Sequence, residues 1–153
     1  MEKALSLSYR FLSFRPRTVV EVKKYLEKKA EKYMFSAEDI EATLELLIDR
    51  GYLNDLEFIK SFVNSRNLLK PKSKRVLEME LKKLGVNQQD INTYFSETPT
   101  DEAELAQKAL HKKIKSLSLI SDKKVQFIKA ISFLQRRGFS YDVAKKAFYD
   151  EFS

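Results

Sequence analysis

Two stretches decide the fold: Leu81-Lys82-Lys83-Leu84-Gly85-Val86-Asn87 and Leu134-Gln135-Arg136-Arg137-Gly138-Phe139-Ser140. Each reads as the last turn of a helix, a glycine, a hydrophobe and a capping residue. Glycine after a helix adopts the left-handed conformation at little steric cost and lets the following amides return to the last turn. The hydrophobe behind it can pack back on that turn, and Asn87 or Ser140 opens the next helix with a side-chain acceptor. Matched apolar pairs follow the caps, Ile91 with Phe95 and Ala144 with Phe148. Near the start, Phe35-Ser36 and then Ile40 with Leu44 fill the same places, after a longer loop (Glu27 to Met34) that lacks the glycine. Upstream, Arg15-Pro16-Arg17-Thr18 mirrors Lys70-Pro71-Lys72-Ser73. The chain is therefore read as three copies of a three-helix unit with a period of about 50–55 residues, over 1–50, 51–97 and 98–153.

The rest of the chain agrees. Apolar residues recur at helical spacing in the stripes Ile40, Leu44, Leu47, Ile48; Phe58, Ile59, Phe62, Val63; Leu77, Leu81, Leu84; and Phe127, Ile131, Leu134. Thr18 with Glu21, and Asn54 with Glu57, have capping-box spacing. Ser36, Ser73, Asn87, Ser121 and Ser140 each precede an apolar-periodic run. Nine helices follow, over 3–14, 18–32, 37–50, 55–69, 73–84, 88–96, 101–116, 122–137 and 141–152. The expected fold is all-α, three three-helix modules in tandem as an extended or curved array.

Composition narrows the function classes. Only 3 Gly and 3 Pro interrupt 153 residues, which favours helices, and the absence of Cys excludes disulfides and thiolate metal sites. No apolar run approaches the ~18–20 residues that span a bilayer, and the N-terminus lacks a secretory pattern, so a soluble cytoplasmic protein is expected. The formal charge of +7 points to an anionic partner, and its distribution says more. Seven acidic residues stand against Arg50 alone between Ser36 and Glu57, whereas seven basic residues stand against Glu78 and Glu80 between Arg66 and Lys83. A second basic stretch runs from Lys108 to Lys124. Solubility alone does not require such polarity.

No catalytic constellation emerges. His111 is the only histidine and lies among Lys108, Lys112 and Lys113, where a solvated role is expected. No serine is singled out with a histidine base, and Glu38, Asp39, Glu41 and Glu45 read as an acidic helix start. The glycines each follow a helix and form no phosphate loop. No enzyme activity, cofactor or metal is expected. Phe58, Phe62, Phe127 and Phe133 follow the apolar stripes and are expected in the core rather than as base-stacking platforms.

The ordered motifs resemble the RecX family over nearly the whole chain. The family's Arg-x-Arg-[Ser/Thr] step is matched by Arg15-Pro16-Arg17-Thr18. Its Gly-aromatic/Leu-Leu-Asn/Asp-Asp turn is matched by Gly51-Tyr52-Leu53-Asn54-Asp55, and the helix that follows by Phe58-Ile59-Lys60-Ser61-Phe62-Val63-Asn64-Ser65-Arg66. The basic link Lys70 to Arg75 and the helix end Glu80-Leu81-Lys82-Lys83-Leu84-Gly85-Val86 complete the pattern. Pro71 and Ser73 stand where the family's link usually carries glycine, and Asn54 replaces the commoner first Asp. The resemblance implies a regulatory protein that binds the filament of the RecA recombinase on single-stranded DNA and modulates, most often inhibits, the recombinase. It implies a monomer, with at most weak binding to duplex DNA. Two other readings come from the helical units themselves: a helix-turn-helix DNA-binding regulator, and a scaffold for a partner's peptide.

The candidate filament- or DNA-binding residues are Arg15, Arg17, Arg66, Lys70, Lys72, Lys74, Arg75, Lys82, Lys112, Lys113, Arg136 and Arg137. Lys70 to Arg75 sit at a predicted helix N-terminus, where a phosphate is welcome. Arg66 has two readings, a contact to filament or DNA and a structural arginine tying helix ends through charge-assisted hydrogen bonds.

Overall fold

A computed structural model describes residues 1–152; Ser153, the last residue of the third predicted module, lies outside them. Among the described residues there are ten helices and no strand: α1 (Glu2–Phe14), α2 (Val19–Tyr33), α3 (Ala37–Asp49), α4 (Asp55–Leu69), α5 (Lys74–Lys83), α6 (Gln88–Glu97), α7 (Glu102–His111), α8 (Ile114–Ser118), α9 (Lys123–Arg136) and α10 (Tyr141–Phe152). None is long and apolar enough to cross a membrane. The chain divides by proximity into two units, Met1–Ser61 with Leu81–Tyr94, and Phe62–Glu80 with the chain from Phe95 onward. The three boundaries between these units fall inside helices α4, α5 and α6 rather than in the connections between them.

The first unit is built on α1, α2 and α3. Ala4, Val22, Leu26, Ile40, Leu44, Leu47 and Leu53 form its core. Burying a Leu or Ile side chain is worth about 1.5–3 kcal/mol, so this short list carries most of the module's stability. Ser8 is buried in α1 without penalty because its hydroxyl donates to the Ala4 carbonyl at 2.8 Å. Phe11 stacks on Tyr25 with ring centroids 4.1 Å apart. Two helix starts carry full capping boxes. Thr18 accepts from the Glu21 amide while Glu21 accepts from the Thr18 amide, and Ser36 and Asp39 do the same. One expectation fails here: Ile48 is 47% exposed, and Thr43 takes its place in the buried face of α3. Thr43 tolerates burial because its hydroxyl donates to the Asp39 carbonyl one turn back.

In the second unit, α7, α9 and α10 pack around Leu105, Ala106, Ala109, Leu110, Leu117, Ala130, Ile131, Leu134, Phe139, Ala144, Ala147 and Phe148. The helix predicted over 101–116 is broken, which raises nine helices to ten. At Lys113 the backbone tightens to φ −105°, ψ 0°, and the amide donates to Leu110, three residues back, at 2.8 Å. The break coincides with the Lys112 ammonium turning away to the carbonyls of Leu68 and Leu69, 2.6 and 3.0 Å distant.

The glycine turns have the predicted form. Gly85 and Gly138 are left-handed, at φ 94° and 95°. Val86 donates to Leu81 and Gly85 to Lys82; Phe139 donates to Leu134 and Gly138 to Gln135. These are the paired returning bonds of a Schellman motif. Val86 and Phe139 are buried at 4% and 3% exposure, so both hydrophobes pack back. In the first module Met34 takes the left-handed seat at φ 58°, the one non-glycine to do so among the described residues, and Phe35 donates to Ala30.

A repeated joint links successive modules. In the first unit the Thr18 hydroxyl donates to the Leu84 carbonyl at 2.6 Å, the Val19 amide donates to the Asp55 carboxylate at 3.0 Å, and Gly85 lies against Val20. The second unit repeats this pattern. The Ser73 amide donates to the Arg137 carbonyl at 3.0 Å, the Lys74 amide donates to the Glu102 carboxylate at 2.9 Å, and Gly138 lies against Ser73 and Val76. Each joint thus places the start of one module's second helix against two features of the next module: the acid that opens its first helix and the glycine that ends its second.

Candidate functional site

The basic link is a meeting point within the second unit. Glu80 on α5 accepts from Arg66 Nε at 3.0 Å and from Lys72 Nζ, so one carboxylate ties the end of α4 to the link. Partial burial raises the affinity of Glu80 for a proton, but the hydrogen bonds and charges of Lys72 and Arg66 together outweigh it and hold the carboxyl below its usual range. The Arg66 guanidinium also covers the Phe62 ring, 4.5 Å from its centroid. Arg66 therefore makes the charge-assisted tie of the structural reading. Its side chain is still 37% exposed and available at its outer edge.

Two cations of the third module reach the same link. Lys112 donates to the carbonyls of Leu68 and Leu69, and Arg137 donates to the Pro71 carbonyl at 3.1 Å. Burial, and then the charge of Arg136, lower the Arg137 pKa from its ordinary value, yet a guanidinium stays charged at neutral pH. Lys70 is exposed within this cluster, and among the described residues its side chain meets no carboxylate. Lys74 lies 4.0 Å from Glu78 and 5.3 Å from the Phe95 ring centroid, and the Arg75 guanidinium rests near the Met79 sulfur at 3.8 Å.

Beside Arg137 lies a groove of about 390 Å³, lined among others by Lys113, Lys129, Arg136, Ser116, Ser132 and Phe133. No carboxylate lines it, and Lys113 and Arg137 both stand over the Phe133 ring, at 5.5 and 4.7 Å. The link and this groove bring Arg66, Lys70, Lys72, Lys112, Lys113, Arg136 and Arg137 into one unit. Arg15, Arg17 and Lys82 belong to the other. There Arg15 pairs with Glu21, donating to its Oε1 at 3.3 Å, and Arg17 lies 3.8 Å from the Phe11 ring centroid. Lys82 is exposed on α5.

Glu80, Lys129 and Ser132 are not among the residues predicted from sequence, whereas Arg136 is. Glu80 was counted as a minority acid in a basic stretch, and nothing local marks it as the partner of Lys72 eight positions back. Lys129 and Ser132 do carry a signal, because with Phe133 and the predicted Arg136 they fall at i, i+3, i+4 and i+7 on one face of α9. His111 stands at the surface, 3.8 Å from Glu151, with a 75% exposed side chain.

The comparisons with known proteins agree with this architecture. Residues 54–94 match the model of the second three-helix domain of RecX, and residues 100–148 that of the third. The chain is 32% identical to the regulatory protein RecX of Leuconostoc mesenteroides over 94% of its own length and 52% of that relative. It is 36% identical to the regulatory protein RecX of Vibrio campbellii over 68% of its length and 65% of the relative. The chain thus spans about half the length of the Leuconostoc relative, and 56% of that from Bacillus pumilus. The crystal structure of RecX from Lactobacillus salivarius superposes with a TM-score of 0.75 at 22% identity, covering 97% of this chain and 94% of that one, a likeness of fold. With two consecutive domain models matched, and with 32% identity to the regulatory protein RecX of Vibrio parahaemolyticus over 76% of this chain and 74% of that relative, this chain belongs to the RecX family of regulatory proteins.

Proposed function

We propose that this protein binds the RecA recombinase filament on single-stranded DNA and restrains the recombinase by occupancy, as a cytoplasmic monomer without catalytic chemistry or cofactor. Family membership supports the regulatory role. The observation that carries the contact surface is the gathering of Lys112 and Arg137 onto the Lys70-Pro71-Lys72 link, with Lys113 and Arg136 beside it. Cations from the end of α4, the link, the turn between α7 and α8 and the end of α9 then share one region, in which Glu80 offsets Arg66 and Lys72. Such a surface suits phosphates along a strand or an acidic groove of the recombinase. A helix-turn-helix reading is less well supported, because the turns at Gly85 and Gly138 are packed into joints between modules. Co-sedimentation with RecA–single-stranded DNA filaments tests the proposal. Retention that depends on the filament, and exceeds retention by bare duplex, is expected; equal or tighter binding to duplex DNA without recombinase contradicts it.

A further inference from the structure

The repeat shows where the third module departs from the second. Lys113 stands as far beyond Glu102 as Arg66 stands beyond Asp55, the acids that open the first helices of their modules. Phe133 stands as far before Gly138 as Glu80 stands before Gly85. In the second module these places hold an ion pair, Arg66 with Glu80 at 3.0 Å, which Lys72 joins. In the third, the Lys113 ammonium lies 5.5 Å from the centroid of the Phe133 ring, and no carboxylate lines the groove beside them. Lys113, Lys129 and Arg136 are exposed there and form no ion pair among the described residues. Ser132 also lines the groove, half-buried, and its hydroxyl has no partner among the described residues. Other helical hydroxyls satisfy themselves locally: Ser8, Thr43 and Thr93 each donate to the carbonyl one turn back.

We propose that this groove holds a backbone phosphate of single-stranded DNA at the place where the second module supplies its own carboxylate. A phosphodiester accepts from several sides at one centre, so it can meet the Arg136 fork, the Lys113 and Lys129 ammonium groups and the Ser132 hydroxyl together. The contact is to the backbone and not to a base, because the Phe133 ring is already occupied. Lys113 and Arg137 stand over it, and it packs against the core of the third module. Phe133 is then the residue that keeps the site open: an acid in its place would close the groove as Glu80 closes its counterpart. The inference rests on the filament reading for the identity of the strand and sharpens it, assigning the third module to the DNA.

The test is binding of the intact chain, without recombinase, to a short fluorescein-labelled oligothymidylate, read by anisotropy, with ¹⁵N–¹H shifts locating the contact. Saturable binding with shifts at Lys113, Lys129, Ser132 and Arg136 is expected, and oligoadenylate should bind within about threefold, since no base is stacked. Phe133→Glu, which restores the carboxylate of the second module, should weaken binding at least about tenfold, while Phe133→Leu leaves it within about threefold. Lys129→Gln with Arg136→Gln, both at exposed positions, should give the same loss without touching the core and flatten the log–log salt slope by about 1.4. Absence of saturable binding, or binding indifferent to these variants, overturns the proposal. So does equal competition by polyglutamate, which would mean an acidic protein partner, or by inorganic phosphate at the same phosphate concentration, which would mean a free-anion site. Filament co-sedimentation keeps the two readings apart. Retention by the RecA filament without binding to bare oligonucleotide removes the groove assignment alone, whereas oligonucleotide binding without retention supports the groove and removes the filament reading.

Discussion

Gly138 is seated against Ser73 so closely that a Cβ at Gly138 would lie 2.2 Å from the Ser73 hydroxyl oxygen. Gly85 repeats the relationship with Val20, where a Cβ would come within 2.4 Å of the Val20 Cβ. Each glycine thus serves twice, once for its left-handed φ and once for the contact between modules.

Alanine at either position is expected to be costly. The left-handed backbone costs about 1 kcal/mol for a non-glycine residue, and the overpacked contact about 1–3 kcal/mol more. Gly51→Ala is the internal control, because Gly51 is also left-handed at φ 79° but has nothing within 4 Å of an added Cβ. Urea denaturation should rank Gly85→Ala and Gly138→Ala well below Gly51→Ala. Equal losses at all three would show that the joints carry no packing load.

Met34→Gly should act in the opposite direction. Met34 is left-handed and 87% exposed, so its side chain adds strain with little burial in return. Relief of that strain, less the entropy of an added glycine, gives an expected gain of about 0.5–1 kcal/mol. A loss measured in the same denaturation series would contradict this.

Much of this was legible in sequence because it is local. The two Gly-hydrophobe-cap strings encode their own hydrogen bonds, and Thr18 with Glu21 encodes a capping box within four residues. What escaped depends on distant partners or on polar compensation. The apolar spacing of 101–116 continues through Lys112, whose reach to carbonyls 43 and 44 positions away leaves no local trace. Thr43 and Ile48 exchange places because a threonine hydroxyl can satisfy itself on the preceding turn, which a hydropathy stripe does not register. Among the candidate cations the sequence supplied the residues but not their company; Glu80, which offsets Arg66 and Lys72, was found only in three dimensions.

Asp55 should give stability an inverse pH dependence in the acid range. Burial raises its pKa above the ordinary carboxyl value, the Val19 amide opposes this, and Asp90 and Glu21 add to the rise. The folded state then holds the proton more tightly than the unfolded state. Asp55 therefore contributes most below the ordinary carboxyl pKa, and that contribution falls as pH rises through the elevated folded value. Asp55→Asn keeps an acceptor for Val19 and should remove this component from the pH profile of denaturation midpoints. An unchanged profile would exclude Asp55 as its source.

Glu80 should behave with the opposite sign. Its folded pKa is depressed, so its stabilisation is present above the ordinary carboxyl range and is lost as pH falls through the lower folded value. Glu80→Gln is expected to cost roughly 1 kcal/mol at neutral pH, since the pairs are partly exposed. The same change releases Arg66 and Lys72, and filament binding should tighten at low salt. Weaker binding by a folded Glu80→Gln protein would argue that the pair positions the link instead.

The central claim is that the cations of the link and the neighbouring groove meet the RecA–single-stranded DNA filament. The most direct measurement is filament co-sedimentation across a salt series with Lys70, Arg75 and Arg136 all changed to Glu, alongside Glu38, Glu41 and Glu45 all changed to Lys. Each lost phosphate contact on a single strand removes about 0.7 from the log–log salt slope, so three lost contacts should flatten it by about 2 and weaken binding by at least about tenfold at low salt. The α3 variant should bind at least as tightly as the parent, with helical content unchanged in both. If the Lys70/Arg75/Arg136 variant matches the parent in affinity and salt slope, the account is contradicted.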